Sequence, residues 1–295
     1  MRAGLYRRTP SRSNPILSGF VIIFYYTRYM LPILADLGFV KIYTNGIFLV
    51  LAFFWSTFFL WKNVSLTAFK EDEVFDGMFF SLLGGLIFGR LLYVVLHASE
   101  FGFSILRIIL INGYPGFSLY GALLGIFLFG YMFATSRKIS FGKLVDYAMA
   151  PLLLAIGIIK LGAFFAGTEV GAETAISVAI AYQHLDGMRH LTPLYESILL
   201  MGASYIAHMV LMAIRRNKFY PGFNFVVFAG LFSFISLVFD PIKAFRTMVF
   251  SMSFDMIVSS AILLTVLVYM LYYFRDSIGD LFKKKKGSKK KSHDP

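Results

Sequence analysis

Seven stretches of about 20 mostly apolar residues recur along this chain, at roughly 42–61, 77–98, 117–136, 145–167, 193–214, 222–240 and 251–274. As a helix rising 1.5 Å per residue, each is long enough to cross the roughly 30 Å of hydrocarbon in a bilayer. A segment in hydrocarbon must satisfy its own backbone hydrogen bonds, so the runs predict an all-α integral membrane protein with about seven core transmembrane helices. Composition agrees, because 58% hydrophobic and 15% charged residues leave too little polar surface to cover a water-soluble globule. An eighth run, about 16–35, is interrupted by Arg28 and reads as an extra span, an interfacial helix or an uncleaved signal anchor. No small-residue cleavage site follows it, which keeps it in the mature chain. Three parts are therefore expected: a basic N-terminal extension at 1–31, a transmembrane domain at 32–275 and a basic tail at 276–295.

The net charge of +12 sits mainly in Arg2, Arg7, Arg8 and Arg12 and in the run from Lys283 to Lys291. Such runs are solvated tails beside an anionic leaflet, and no nucleic-acid-binding module accompanies them. The connections KNVSLTAFKEDEVFD, TSRKISFGK and RRNK, with the tail, alternate along the chain with those around 99–116, 168–192 and 241–250. The first set is the more basic, which places it in the cytoplasm and the other set outside. There is no cysteine, so disulfides, thiolate metal sites and a cysteine nucleophile are excluded, and any thiol in the chemistry comes from a partner. No metal-ligand spacing, Walker loop or dinucleotide fingerprint occurs, and no cofactor is expected.

Polar residues gather where apolar runs meet the outer connections. Lys160 lies inside the fourth run, in KLGAFFAGTEVG (160–171); INGYPGFSLYGALLG (111–125) enters the third run and RHLTPLYES (189–197) enters the fifth. An ionisable residue in a span costs about 2.5–3.5 kcal/mol on insertion scales and is kept where a partner or a wet cavity receives it. A polar pocket near the outer leaflet accounts for all three stretches. In RHLTPLYES, Thr192 reads as a helix N-cap with Pro193 at the first helical position, and Tyr195 and Glu196 fall in the first turn.

In order and spacing, IYTNG (42–46), GRLLYV (89–94), SLYGALLG (118–125), KLGAFFAGTEVG and RHLTPLYE resemble the motifs of the prolipoprotein diacylglyceryl transferase family over about residues 32–275. The family pattern has a histidine where this chain has Tyr120, an arginine at Lys160, an asparagine at Ala163 and a glutamate at Thr168, with Glu169 one place later. On the sixth helix it has an arginine and a glutamate where Ser233 and Leu237 stand. The resemblance implies a bacterial inner-membrane enzyme with its cavity toward the outer leaflet. It would move the diacylglyceryl group of phosphatidylglycerol to the lipobox cysteine of a prolipoprotein, bound through its signal peptide among membrane lipids, and release glycerol phosphate. The replaced residues keep a second reading open, a catalytically inactive relative that binds phospholipid or lipoprotein precursor. A transporter would carry an internal repeat with broken helices, which the chain lacks.

Under the resemblance, Lys160, Arg90 and Arg189 are candidates for the phosphate, with Gly171 beside them. Lys160 alternatively forms a structural ion pair with Glu169 or Glu196. Arg90 follows Gly84, Gly85 and Gly89, small residues that let helices pack closely, and alternatively holds helices together. Tyr120, a phenol of ordinary pKa near 10, is a poor base but a good hydrogen-bond donor. His190 and His97 are the imidazoles on the outer side, and His190 is taken as the catalytic candidate with Tyr120 and Lys160. Glu169, Tyr195 and Glu196 line or orient the cavity.

Overall fold

The computed structural model describes residues 30–275 apart from 66, 68, 103, 111–112 and 183–184. The basic N-terminal extension through residue 29, including Arg28, and the tail from 276 lie outside the described residues. Seven helices are long and apolar enough to cross a membrane: α1 Thr44–Val64, α2 Glu71–Leu96, α5 Leu119–Ser136, α6 Phe141–Ala166, α7 Thr192–Arg215, α8 Phe223–Phe239 and α9 Phe254–Tyr273. Two short helices, α3 Ala98–Phe101 and α4 Ile105–Ile109, a 3-10 turn at Asp240–Ile242 and three two-stranded antiparallel hairpins complete the described elements. The hairpins are β1 Ile33–Asp36 with β2 Lys41–Tyr43, β3 Ile180–Ala181 with β4 Met188–Arg189, and β5 Met248–Val249 with β6 Met252–Ser253. The eighth apolar run thus ends in strand β1 rather than in helix.

The runs and helices agree to within a few residues except at α2, which begins at Glu71 instead of near 77. Glu71, Asp72 and Glu73 form its first turn, where acids complement the positive end of the helix dipole. The acidic part of the connection KNVSLTAFKEDEVFD is therefore helix.

Packing is set by small residues. α2 lies against α5 along a seam of Gly84, Gly85 and Gly89 facing Gly121 and Gly125. A Cβ on Gly125 would meet the Gly84 carbonyl oxygen at 2.1 Å, and one on Gly121 the Phe88 oxygen at 2.5 Å. Backbones this close gain dispersion contacts without any hydrophobic drive between helices.

α6 is central, packed on α1, α7 and α8. Pro151 sits inside it and offers no N–H to the carbonyl of Tyr147 four residues back. Asn63 of α1, buried at the interface, donates its side-chain amide to that carbonyl at 3.4 Å. From α7, Ser197 donates to the Gly157 carbonyl (2.8 Å) and Ser204 to that of Ala150 (2.7 Å), polar ties that hydrocarbon favours because the groups have no water to turn to. Outward faces carry Phe54, Trp55, Leu83, Val95, Tyr205 and Leu264 exposed, as a lipid-facing surface requires.

Candidate active site

Because consecutive spans run in alternate directions, the ends of α2, α6 and α8 and the starts of α5, α7 and α9 meet on one side. The connections 97–118, 167–191 and 240–253 lie there, and TSRKISFGK and RRNK lie on the other. A cavity of about 300 Å³ opens among them, lined by Tyr93 and His97 of α2's end, Tyr120, Lys160, Glu196 and Asp255 with their neighbours.

Backbone geometry places each charge. α6 stops at Gly167, whose φ of +67° is a left-handed conformation that costs glycine little. The chain folds back over the helix end, Thr168 N–H reaching the Ala163 carbonyl at 3.1 Å, and Glu169 returns to Lys160 at 2.5 Å. The segment beyond then runs antiparallel to 242–244. Ala172 N–H donates to Ile242 O (2.8 Å), Ala244 N–H to Val170 O (2.9 Å), and Gly171 faces Lys243 between them. Gly171 is obligatory there, since a Cβ would lie 2.3 Å from the His190 oxygen and 2.7 Å from Thr192 Oγ1.

This register delivers Lys243 to the site. Glu196 bridges the two ammoniums, its Oε2 2.7 Å from Lys160 Nζ and its Oε1 3.3 Å from Lys243 Nζ, and Asp255 holds Lys243 at 3.3 Å. The result is one chain of charge, Glu169, Lys160, Glu196, Lys243, Asp255. Lys160 forms the ion pair of the sequence reading with Glu169 and Glu196 both, and it also lines the cavity. At the Lys243 ammonium, burial and Lys160 push the pKa down, while Glu196, Asp255 and Glu169 push it up further, leaving it above the ordinary lysine value.

Tyr120 is buried under the cavity with its hydroxyl 2.5 Å from Ser259 Oγ and 3.4 Å from the Asp255 carbonyl, its ring edge-on to Phe232 and Phe254. Ser118 caps its helix, accepting from Gly121 N–H at 3.3 Å. Thr192, expected to cap α7, is instead its first residue behind Leu191, and its hydroxyl donates to Ile242 O at 3.1 Å. A tertiary partner has taken the side chain that the local pattern assigned to a cap.

Several candidates are placed elsewhere. Arg90 is buried and its guanidinium donates to the carbonyls of Ile108 (2.9 Å), Tyr114 (2.7 Å), Gly116 (3.0 Å) and Arg107 (3.1 Å), organising the connection between α2 and α5. Arg189 pairs with Glu173 at 3.0 Å, and Tyr195 donates to Val178 O at 3.4 Å. His190 is half-buried with its backbone N–H on Ala172 O at 3.0 Å. None of these four is among the cavity-lining residues, and neither is Gly171.

His97 is the imidazole that lines the cavity among the described residues. Its ring stacks on Tyr93 at 4.2 Å, and Nδ1 lies 3.0 Å from the Tyr93 carbonyl. A carbonyl only accepts, so Nδ1 carries a proton and is the donor of this contact. Lys243 and Asp255 are the residues that sequence reasoning missed. Asp255 lies inside the seventh apolar run and so carried the same signal as Lys160, whereas nothing local distinguishes Lys243 from any loop lysine.

Residues 32–273 match the family model described as prolipoprotein diacylglyceryl transferase. The chain belongs to this family. It is 31% identical over 189 residues, 64% of its own length and 73% of the relative's, to the phosphatidylglycerol–prolipoprotein diacylglyceryl transferase of Clostridioides difficile (strain 630). The enzyme of the same name from Geobacter sulfurreducens is 28% identical over 210 residues, covering 69% of this chain and 80% of that one. That of Listeria innocua is 23% identical over 273 residues, 86% and 97% of the two. Family membership and seven apolar helices make the chain a multi-pass membrane protein.

Proposed function

We propose that this protein transfers the diacylglyceryl group of phosphatidylglycerol to the cysteine thiol of a prolipoprotein, with the signal peptide presented from the bilayer. The observation that carries this reading is the pair of partly buried lysines bridged by the buried Glu196 at the end of a cavity opening near one membrane face. In the transfer, the thiol loses its proton, sulfur bonds to the glyceryl carbon, and the carbon–oxygen bond to phosphate breaks with its electrons going to oxygen. Glycerol phosphate leaves, its phosphate having passed from one negative charge toward two.

Lys160 and Lys243 answer that change, since cations fixed beside the leaving phosphate gain more from its developing charge than from the resting diester. Tyr120 hydroxyl donates to a phosphate oxygen, and His97 Nε2 is the base for the thiol. Because the cavity lies on the side opposite the basic connections TSRKISFGK and RRNK, it faces the outer leaflet of the cytoplasmic membrane, and the lysine tail is cytoplasmic.

The test is transfer of radiolabelled diacylglyceryl from phosphatidylglycerol to a lipobox-cysteine peptide by the purified protein. Wild type is expected to transfer, and Lys160→Ala and Lys243→Ala to lose activity by roughly 100-fold or more, the effect of removing one transition-state charge contact. Labelled lipid bound without transfer by wild type would make the protein a catalytically silent relative.

A further inference from the structure

Each of the two lysines of the site is paired with two of the protein's own carboxylates, and these differ in depth. Glu196, which touches both ammoniums, has only 4% of its side chain exposed. Glu169, 2.5 Å from Lys160, is 43% exposed, and Asp255, 3.3 Å from Lys243, is 40% exposed. Three carboxylates against two ammoniums give the resting cluster a formal charge of −1. An incoming phosphodiester monoanion therefore meets cations already paired and a cavity of its own sign. With the two outer carboxylates moved aside, two ammoniums against Glu196 leave +1, which one phosphodiester neutralises.

We infer that Glu169 and Asp255 hold the phosphate's places while the site is empty and are displaced together when the phospholipid headgroup enters. This rests on the lipid-binding reading above and goes beyond it by giving the two acids opposite roles from Glu196. Glu196 is locked in the bundle as the permanent counterion of both lysines. Glu169 is on a connection just past the left-handed Gly167, outside the helix that carries its partner, and Asp255 is in the first turn of α9, the least buried of the seven spans. Each can turn toward water, and Asp255 keeps the favourable end of its helix dipole when it does. The exchange also keeps a cationic pocket at a membrane face from collecting small anions. An anion with no acyl chains gains only the phosphate contact and must still separate two ion pairs.

Scintillation-proximity binding of radiolabelled short-chain phosphatidylglycerol to the detergent-purified full chain tests this, with inorganic phosphate and glycerol phosphate as unlabelled competitors. Glu169→Gln and Asp255→Asn, each confirmed folded by its thermal transition, are expected to bind the lipid about two- to fivefold more tightly, the range set by part-exposed ion pairs. Both are also expected to bring inorganic phosphate into measurable competition. Glu173→Gln removes an equally negative side chain that pairs with Arg189 away from the cavity, and its affinity is expected to match wild type. Unchanged or weaker binding in both cavity variants overturns the inference, and tightening in only one overturns the paired exchange. A wild-type protein that binds no phosphatidylglycerol overturns the proposed function itself, whereas wild-type transfer without tightening in the variants overturns this inference alone.

Discussion

At Lys160 an ammonium with 12% of its side chain exposed lies 2.5 and 2.7 Å from two carboxylates, and its removal leaves Glu196 buried beside Lys243 alone. Breaking one side of such a pair typically destabilises by about 3–5 kcal/mol, because the remaining charge stays desolvated. Lys160→Met is therefore expected to lower the thermal transition in detergent by several degrees, and Lys160→Met combined with Glu196→Leu to recover part of the loss. At Lys243 the folded-state pKa is raised, by Glu196, Asp255 and Glu169 outweighing burial and Lys160. The stability this contributes is complete below the ordinary lysine pKa of about 10.4 and is lost as pH climbs through the raised value. Unfolding followed from neutral to strongly alkaline pH is expected to show that loss in wild type and a smaller one in Lys243→Met. The importance of Lys160 was legible in the sequence, since an ammonium inside an apolar run demands a partner. That of Lys243 was not, because only the antiparallel pairing of 170–172 with 242–244 brings it there.

Between elements, the tightest contact is where α2 crosses α5. Gly125→Ala drives a methyl into the Gly84 backbone, which cannot yield as a side chain end does. The expected result is separation of the two helices, a lower thermal transition and reduced transfer, since α2 carries Tyr93 and leads into His97, and α5 carries Tyr120. Gly202→Ala on α7, where a Cβ meets nothing within 4 Å, is expected to leave the transition unchanged or slightly raised. A second joint is Asp146 of α6, whose carboxylate accepts from Gly222 N–H (2.7 Å) and Asn224 N–H (3.0 Å) at the start of α8. Asp146→Ala orphans both donors and is expected to destabilise by about 1–3 kcal/mol, read as an earlier thermal transition in detergent. The glycines of α2 are legible in the sequence as close-packing signals, but their partners on α5 are a matter of three-dimensional crossing. The same limit applies to Thr192, whose local pattern names a cap and whose tertiary neighbour Ile242 claims the hydroxyl.

Across the whole molecule, alternation of spans puts every cavity-forming connection on one side and TSRKISFGK and RRNK on the other. The absence of cysteine gives a clean background for checking which side faces out. In intact cells, a membrane-impermeant maleimide is expected to label Glu173→Cys, and to label Lys138→Cys only after permeabilisation. The reverse pattern would put the cavity in the cytoplasm. By itself the sequence determined the number and approximate limits of the seven spans, the all-helical class and the family, because apolar length and short ordered motifs are one-dimensional properties. It also pointed to the connections around 99–116, 168–192 and 241–250 as the place where polar groups gather, since charge inside apolar runs is expensive wherever it occurs. Only the tertiary structure decided which of those polar groups meet. It took Arg90, Arg189 and His190 out of the cavity lining, put His97 into it, and joined Lys160 to Lys243 through Glu196. Those choices depend on helix crossings and on backbone pairing between segments about 70 residues apart, which no local pattern encodes.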